Sequence, residues 1–409
     1  MKKLSVHLTR TPDDSRLIGE LAEVNQTIYF EYDSDFLQNP LWLSPFKLPP
    51  EPGLHEQRDR AFGSLFGLFD DSLPDGWGLL LMDRVFRQRG ILPETLSPLD
   101  RLAYMGTRTM GALTYFPPTP EDNPPTPFSG LHTLATEAQC VLAGKTEDIL
   151  PELIRNGGSP GGARPKVLVG VNEDQLVSGT DTLPDGFEEW MIKFPTKIET
   201  PEEGRIEYAY SKMAAAAGIH MPPTRLFQTL EGDAFFGVKR FDRTGTTRHH
   251  IHTFGNLIHS NFRIPGCDYD QLLNVTRRLT RNQTNTEAAF RLMAFNVLAN
   301  NRDDHVKNFA FMLNDSEDWT LTPAYDLTFS PGPGGEHSMT LDGEGRNPDR
   351  EHIIRLATRH GIQEKRALEV IIEMADAASQ WPRFADEAGL DSPIKNEIAD
   401  ILKTRRITL

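Results

Sequence analysis

Cysteine is nearly absent from this 409-residue chain: only Cys140 and Cys267 occur. Two such distant thiols give neither a disulfide framework nor metal-ligand spacing, and a reducing cytoplasm is the expected setting. No apolar run approaches the roughly 18–20 residues of a membrane span, so no membrane role is expected. The amino terminus, "MKKLSVHLTRTPDD", has two lysines but only a short mixed apolar stretch, a poor signal peptide. Positive charge is also in deficit. Lys and Arg total 43 against 58 Asp and Glu, a net charge of −15. That field repels nucleic acid. The one dense basic run is "KTRR" near the carboxyl terminus, read as a solvated tail, so direct DNA binding is not expected.

What is present is globular composition, in a chain long enough for two or three units. "LSVHLTR", "LIGELAEV" and "TIYFEYD" read as strands from their β-branched and aromatic residues. "FDDSLPDGWGLLLMDRVFRQRG" reads as a turn leading into a helix. "LDRLAYMGTRTMGALTYF" adds a helix and a strand. Residues 117–127, "PPTPEDNPPTP", hold six prolines in eleven positions and form an extended linker. The expected organisation is therefore an amino-terminal subdomain over 1–116, the linker over 117–127, a mixed lobe over 128–245 and a helical lobe over 246–409. The mixed lobe contains a glycine-rich loop, "GGSPGGARPKVLVG", a strand around "EEWMIKFPT", a helix "RIEYAYSKMAAAAGI" and strands at "TRLFQTL" and "AFFGVKRFDR". In the last lobe, "EKRALEVIIEMADAASQW" reads as one helix, and a β-like stretch runs through "FAFMLND…WTLTPAYDLTFS".

The densest polar cluster is "NNRDDHVKNFAF", residues 300–311. Arg302-Asp303, four residues and Asn308 reproduce the spacing with which kinases place a catalytic base and a metal ligand, and Asp326 follows in "AYDLTFS" as a second carboxylate. Helix and turn capping is the plain alternative for these acids. Upstream, Lys193 lies in the apolar strand and Glu207 in the next helix. A strand lysine paired with a helix glutamate aims a cation at phosphates, and an edge lysine in solvent is the alternative. The loop is not a Walker A motif. Gly157 and Gly162 have the separation, but Ala163 stands where lysine belongs. "GVKRFDR" (237–243) reads as the link between lobes, with Phe241 packing beside an adenine. In order, these features favour an ATP-dependent phosphotransferase.

The chain resembles the HipA-type serine/threonine kinases of bacterial toxin–antitoxin systems. "SLPDGWG" (72–78) and "MGTRTMGAL" (105–113) look like that family's amino-terminal subdomain. "SPGGARPK", "IKFP", "EYAYSKMAAAAGI", "VKRFDR", "NNRDDHVKNFAF" and "LTPAYDL" look like its kinase motifs. The resemblance implies a two-lobed, protein-kinase-like α+β fold that uses ATP and Mg²⁺. Asp303 would be the base, Asn308 and Asp326 would hold Mg²⁺, and Lys193 would meet the phosphates. Gly161, Gly162, Ala163, Arg164, Lys166, Glu207, Lys239, Arg240, Phe241, His305, Lys307, Asn308, Tyr325 and Asp326 would line the nucleotide site. Ser159 falls at the family's autophosphorylated position, followed here by an unusual Pro160 that stiffens the loop. The implied partners are a small helix-turn-helix antitoxin, through which DNA is met only indirectly, and a protein substrate such as an aminoacyl-tRNA synthetase. Asp304 rivals Asp303 as base, and Asp303 is preferred because it alone has Asn at +5. A silent binding module and a metal-dependent phosphohydrolase using "DDH" and "RHHIH" (His249, His250, His252) are the competing readings. The histidines are read as a loop or strand edge, with His252 opening the next helix.

Overall fold

The computed structural model describes residues 1–120, 128–145, 151–157, 161–179, 183–196 and 202–408. Ser159, Pro160 and most of the proline-rich linker lie outside this set.

The amino-terminal strands form an antiparallel sheet from β1 (Lys2–Thr11), β2 (Asp14–Val24), β3 (Thr27–Tyr32), β4 (Leu54–Glu56) and β5 (Leu113–Phe116), in the order β4-β3-β2-β1-β5. Alternation drives it: Leu4, Val6 and Leu8 of β1 are buried, while the residues between them are partly open. Helices α1 (Gly67–Asp70), α2 (Gly76–Gln88) and α3 (Pro98–Met105) fill the excursion between β4 and β5. Ser97 and Asp100 close a capping box at the start of α3.

After α4 (Leu131–Leu142) and α5 (Pro151–Gly157) comes a second antiparallel sheet. It is built from β6 (Lys166–Asn172), β7 (Gln175–Ser178), β8 (Glu188–Lys193), β9 (Thr224–Gln228) and β10 (Ala234–Lys239), in the order β7-β6-β8-β10-β9. Helix α6 (Glu203–Ala216) packs on β9 and β10. The stretch "KVLVG", expected as loop, is strand β6. Val167, Val169 and Val171 alternate into the core.

The remainder begins with a two-stranded ribbon, β11 (Arg243–Thr244) and β12 (Thr247–Arg248). A three-stranded sheet of β13 (His250–Thr253), β14 (Ala310–Leu313) and β15 (Trp319–Leu321) follows. Its helices are α7 (Phe254–Ile258), α8 (Tyr269–Thr280), α9 (Gln283–Leu298), α10 (Arg350–Arg359), α11 (Glu364–Ser379), α12 (Trp381–Ala388) and α13 (Ser392–Thr408). Two expectations change here. His252 sits inside β13, fully buried, and Thr253 caps α7 instead. The long helix expected over 364–381 stops at Ser379, and Pro382 sits in the first turn of α12, where its missing N–H costs nothing.

Burial does not follow chain order. One core joins the first sheet to the helical lobe, with Phe30, Phe69 and Leu113 in the same cluster as Phe254, Phe290 and Trp381. The other joins α2 to the second sheet through Trp77, Val169, Ile192 and Phe227. The amino-terminal segment therefore buttresses both lobes. Charge ties the same elements. Asp242 is buried between Arg240 and Arg243 at 2.7 Å each, and accepts the Gly111 N–H at 2.8 Å. Burial opposes its charge, yet the two guanidinium groups hold its carboxyl far below the usual range.

Candidate active site

Lys193 ends β8, and Lys166 opens β6 directly opposite it. Two like charges paired across strands repel, and both side chains are over nine-tenths buried. Acids compensate. The Lys193 ammonium binds Glu207 Oε1 on α6 and, at 2.6 Å, Asp326 Oδ1. Burial disfavours the ammonium, but Asp326 and Glu207 outweigh it and raise its pKa. Lys166 donates to the Gly161 carbonyl and has no carboxylate partner among the described residues. Burial, then Lys193, pushes it from 10.5 down to about 8.

Glu203 and Glu207 are one turn apart on α6, so they share a face and would repel. Arg164 bridges them, reaching each at 2.6 Å. Asp326 is partly open to solvent, with its side chain 41% exposed and its backbone at φ +57°, a left-handed conformation that is costly for aspartate. Lys193 above all holds its carboxyl well below the usual range.

The catalytic-type loop follows α9. Asn300, at φ +51°, turns the chain. The two adjacent acids then part. Asp304 is fully buried: it accepts from the Tyr269 hydroxyl at 2.6 Å and the Ser338 N–H at 2.8 Å, and meets His337 Nδ1 at 2.8 Å. Asp303 is exposed. Its carboxylate still loses enough water to its surroundings to raise its pKa, with Asp326 and Asp304 adding to the rise and His305 opposing it. Asn308 donates its amide to the Asp303 carbonyl oxygen at 2.7 Å, which ties its side chain to the backbone at Asp303. The Asn308 amide oxygen and the Asp326 carboxylate are hard oxygen donors of the kind Mg²⁺ takes.

Other expected residues divide. Tyr325 donates to the Lys307 carbonyl at 2.6 Å and lies 5.7 Å from the Phe241 ring, forming an aromatic wall. His305 caps the short turn Val306–Asn308 and packs against Phe262. Lys307 points to Asp70 at 3.3 Å and Asp75 at 3.8 Å, two acids of the amino-terminal segment. Lys239 pairs with Glu188 at 2.6 Å and Arg240 with Glu189 at 2.7 Å, so neither cation joins the Lys193 cluster. The backbone N–H groups of both are bonded to Pro223 and Glu189. The "RHHIH" histidines each have a separate partner: His249 has Thr244, His250 the Leu43 carbonyl, and His252 both Ser44 and Asp71. Among the described residues, the one group of three His, Cys, Asp or Glu side chains close enough to share an ion is His132, Glu231 and Asp233, and these three histidines are not part of it. Sequence reasoning missed Glu203, Asp75 and the partners of Asp304. Only Glu203, one turn before Glu207, carried a local signal.

Comparison with known proteins gives this arrangement a family. Residues 158–381 match the HipA-like C-terminal domain, and residues 13–116 match the HipA N-terminal domain. The chain belongs to the HipA family. Its fold is that of the HipA protein from Shewanella oneidensis MR-1, solved with HipB and operator DNA. The TM-score is 0.70 over 98% of this chain and 95% of that one, at 18% identity. The HipA-like architecture is thus a two-lobed α+β fold. A putative kinase, Y4dM, from Sinorhizobium fredii is 24% identical over 244 residues. That match spans 54% of this chain and only 57% of the relative's length. Among the described residues no helix is long and apolar enough to cross a membrane.

The two aspartates should separate in denaturant unfolding. Asp304→Ala strands the buried Tyr269 and His337 and the half-buried Ser338 N–H, and should cost about 3–5 kcal/mol. Asp303→Ala should stay within about 0.5 kcal/mol. Equal losses would contradict the assignment.

Proposed function

We propose that this chain is an ATP-dependent serine/threonine protein kinase, the toxin of a toxin–antitoxin pair acting in the cytoplasm. The observation that carries the reading is Lys193, a buried strand lysine held at once by the helix glutamate Glu207 and by Asp326. That pairing is how kinases aim a cation at nucleotide phosphates. Membership of the HipA family and the relative named as a putative kinase support it.

In this reading Asp303 accepts the proton of a substrate hydroxyl as that oxygen bonds to the γ-phosphorus. The bond to ADP breaks and ADP leaves with the electron pair. Lys193 and Lys166 meet phosphate oxygens, and the backbone at Gly161 and Gly162 approaches them closely. Phe241 and Tyr325 offer ring surface to the adenine. Asn308 and Asp326 would hold Mg²⁺, which supplies positive charge against the phosphates when bound. The substrate is a translation component, with an aminoacyl-tRNA synthetase the class implied by the family. The partner is a small DNA-binding antitoxin, as HipB accompanies HipA in the Shewanella complex. Ser159, outside the described residues, is the proposed autophosphorylation site. A phosphate there adds about −1.5 to −2 charges beside a triphosphate and switches the kinase off.

Purified protein given γ-labelled ATP and Mg²⁺ should label itself or a lysate band, and Asp303→Ala should lower labelling at least about a hundredfold. Phosphate release without protein labelling would instead favour a phosphohydrolase. Phosphopeptide mapping of the same sample should place label on Ser159, and full turnover with Ser159 unmodified would remove the switch. The base works only when charged. Because its pKa is raised, the rate should fall with acidification through a midpoint above the ordinary 3.8. An acid limb at or below 3.8 would contradict the role of Asp303.

A further inference from the structure

Asp75 stands at the N-cap position of α2, where an aspartate ordinarily accepts an N–H of its own helix. Here its side chain makes no capping bond. Its Oδ1 instead accepts the N–H of Gly162, 87 residues away, in the glycine-rich loop of the second lobe. Three further contacts surround that bond. The Trp77 N–H donates to the Gly162 carbonyl at 3.1 Å. The Trp77 indole donates to the Lys166 carbonyl at 3.2 Å. Gly76, at φ +44°, lies so close that an added Cβ would come within 2.6 Å of the Ala163 Cα.

The loop is gripped from its other side too. Lys166 donates to the Gly161 carbonyl, and a Cβ on Gly162 would collide with its ammonium. A Cβ on Gly161 would crowd the Asp75 carboxylate at 3.2 Å. Gly162 is further favoured by its φ of +100°, and a side chain at either glycine would press on a clamp with one jaw in each segment. The second oxygen of Asp75 faces Lys307 of the catalytic-type loop at 3.8 Å. One carboxylate of the amino-terminal segment thus touches the glycine-rich loop and stands beside the catalytic-type loop.

We propose that Asp75 is a positioning residue that holds the glycine-rich loop closed over the nucleotide site. In this way the amino-terminal subdomain completes that site. The nucleotide part of this inference rests on the kinase reading above, while the clamp itself does not. A carboxylate lent to another segment leaves its own helix uncapped. This marks Asp75 as serving the loop and not the fold of α2, whose apolar face through Trp77, Leu81 and Val85 is buried regardless.

The test uses the full-length chain with Asp75→Ala and Asp75→Asn. Hydrogen exchange is followed by mass spectrometry without nucleotide, and Mg·ATP binding by calorimetry. Asp75→Ala should speed exchange of the peptide spanning 161–166 roughly tenfold, the effect of losing one hydrogen bond, while α2 and β8 peptides stay as in the parent. Asp75→Asn keeps a carbonyl acceptor and should restore protection to within about twofold. ATP affinity should fall roughly tenfold in Asp75→Ala and recover in Asp75→Asn. Unchanged loop exchange in Asp75→Ala would overturn the proposal, as would loss of protection spread over α2 and β8, which marks a purely structural role. If the parent chain binds no ATP, the kinase reading fails, yet the exchange comparison still decides whether Asp75 clamps the loop.

Discussion

Two lysines face each other across adjacent strands, out of water, and the rest of the site answers that fact. Neither Lys166 nor Lys193 could stay charged there unaided, because burying an unpaired ammonium costs several kcal/mol. Glu207 and Asp326 neutralise Lys193. Glu207 in turn would repel Glu203, and Arg164 satisfies both. Asp326 adopts a left-handed backbone to reach the cluster, a strain that persists only where surrounding contacts enforce it. Lys166, with no carboxylate partner among the described residues, carries the depressed pKa. The charges form one linked system, and an incoming polyanion would relieve its least satisfied member.

The same economy of charge explains why the amino-terminal segment is inseparable from the two lobes. Lys307 is matched by Asp70 and Asp75, and Asn256 of α7 by Asp70 and Asp71. Asp71 also holds His252, which reaches on to Ser44. This serine, histidine and aspartate chain has the connectivity of a hydrolase triad. All three side chains are buried, however, so its role is to fasten α1 to β13. The segment supplies acids where the lobes present donors.

How much of this could be read from the residues depended on range. Strands β1 to β3, helices α6 and α9, and the turn into α2 carry their periodicity locally, and their positions agree with the sequence reading. Spacing alone also separated Asp303 from Asp304, and the structure shows a physical difference beneath it: one acid is open and the other is sealed by Tyr269, His337 and Ser338. Readings failed where a distant partner decides. The loop expected through "KVLVG" is a strand because β8 and β7 flank it. The side chains of Lys239 and Arg240, in the segment read as the link between lobes, are matched by Glu188 and Glu189, about fifty residues earlier, partners that no local signal reveals. Asp75 looked like part of a turn, since nothing near it in sequence reveals Gly162.

The central claim is that Lys193, held by Glu207 and Asp326, is the cation of a nucleotide site. Calorimetric titration of Mg·ATP into the parent chain and Lys193→Met tests it most directly. Removing the ammonium leaves Glu207 on Arg164 alone and Asp326 without its cation, so the melting temperature should fall as well, and the titration is run well below it. Affinity should fall at least about tenfold, as expected for losing a charge-assisted contact. Equal affinity in the two proteins would contradict the account.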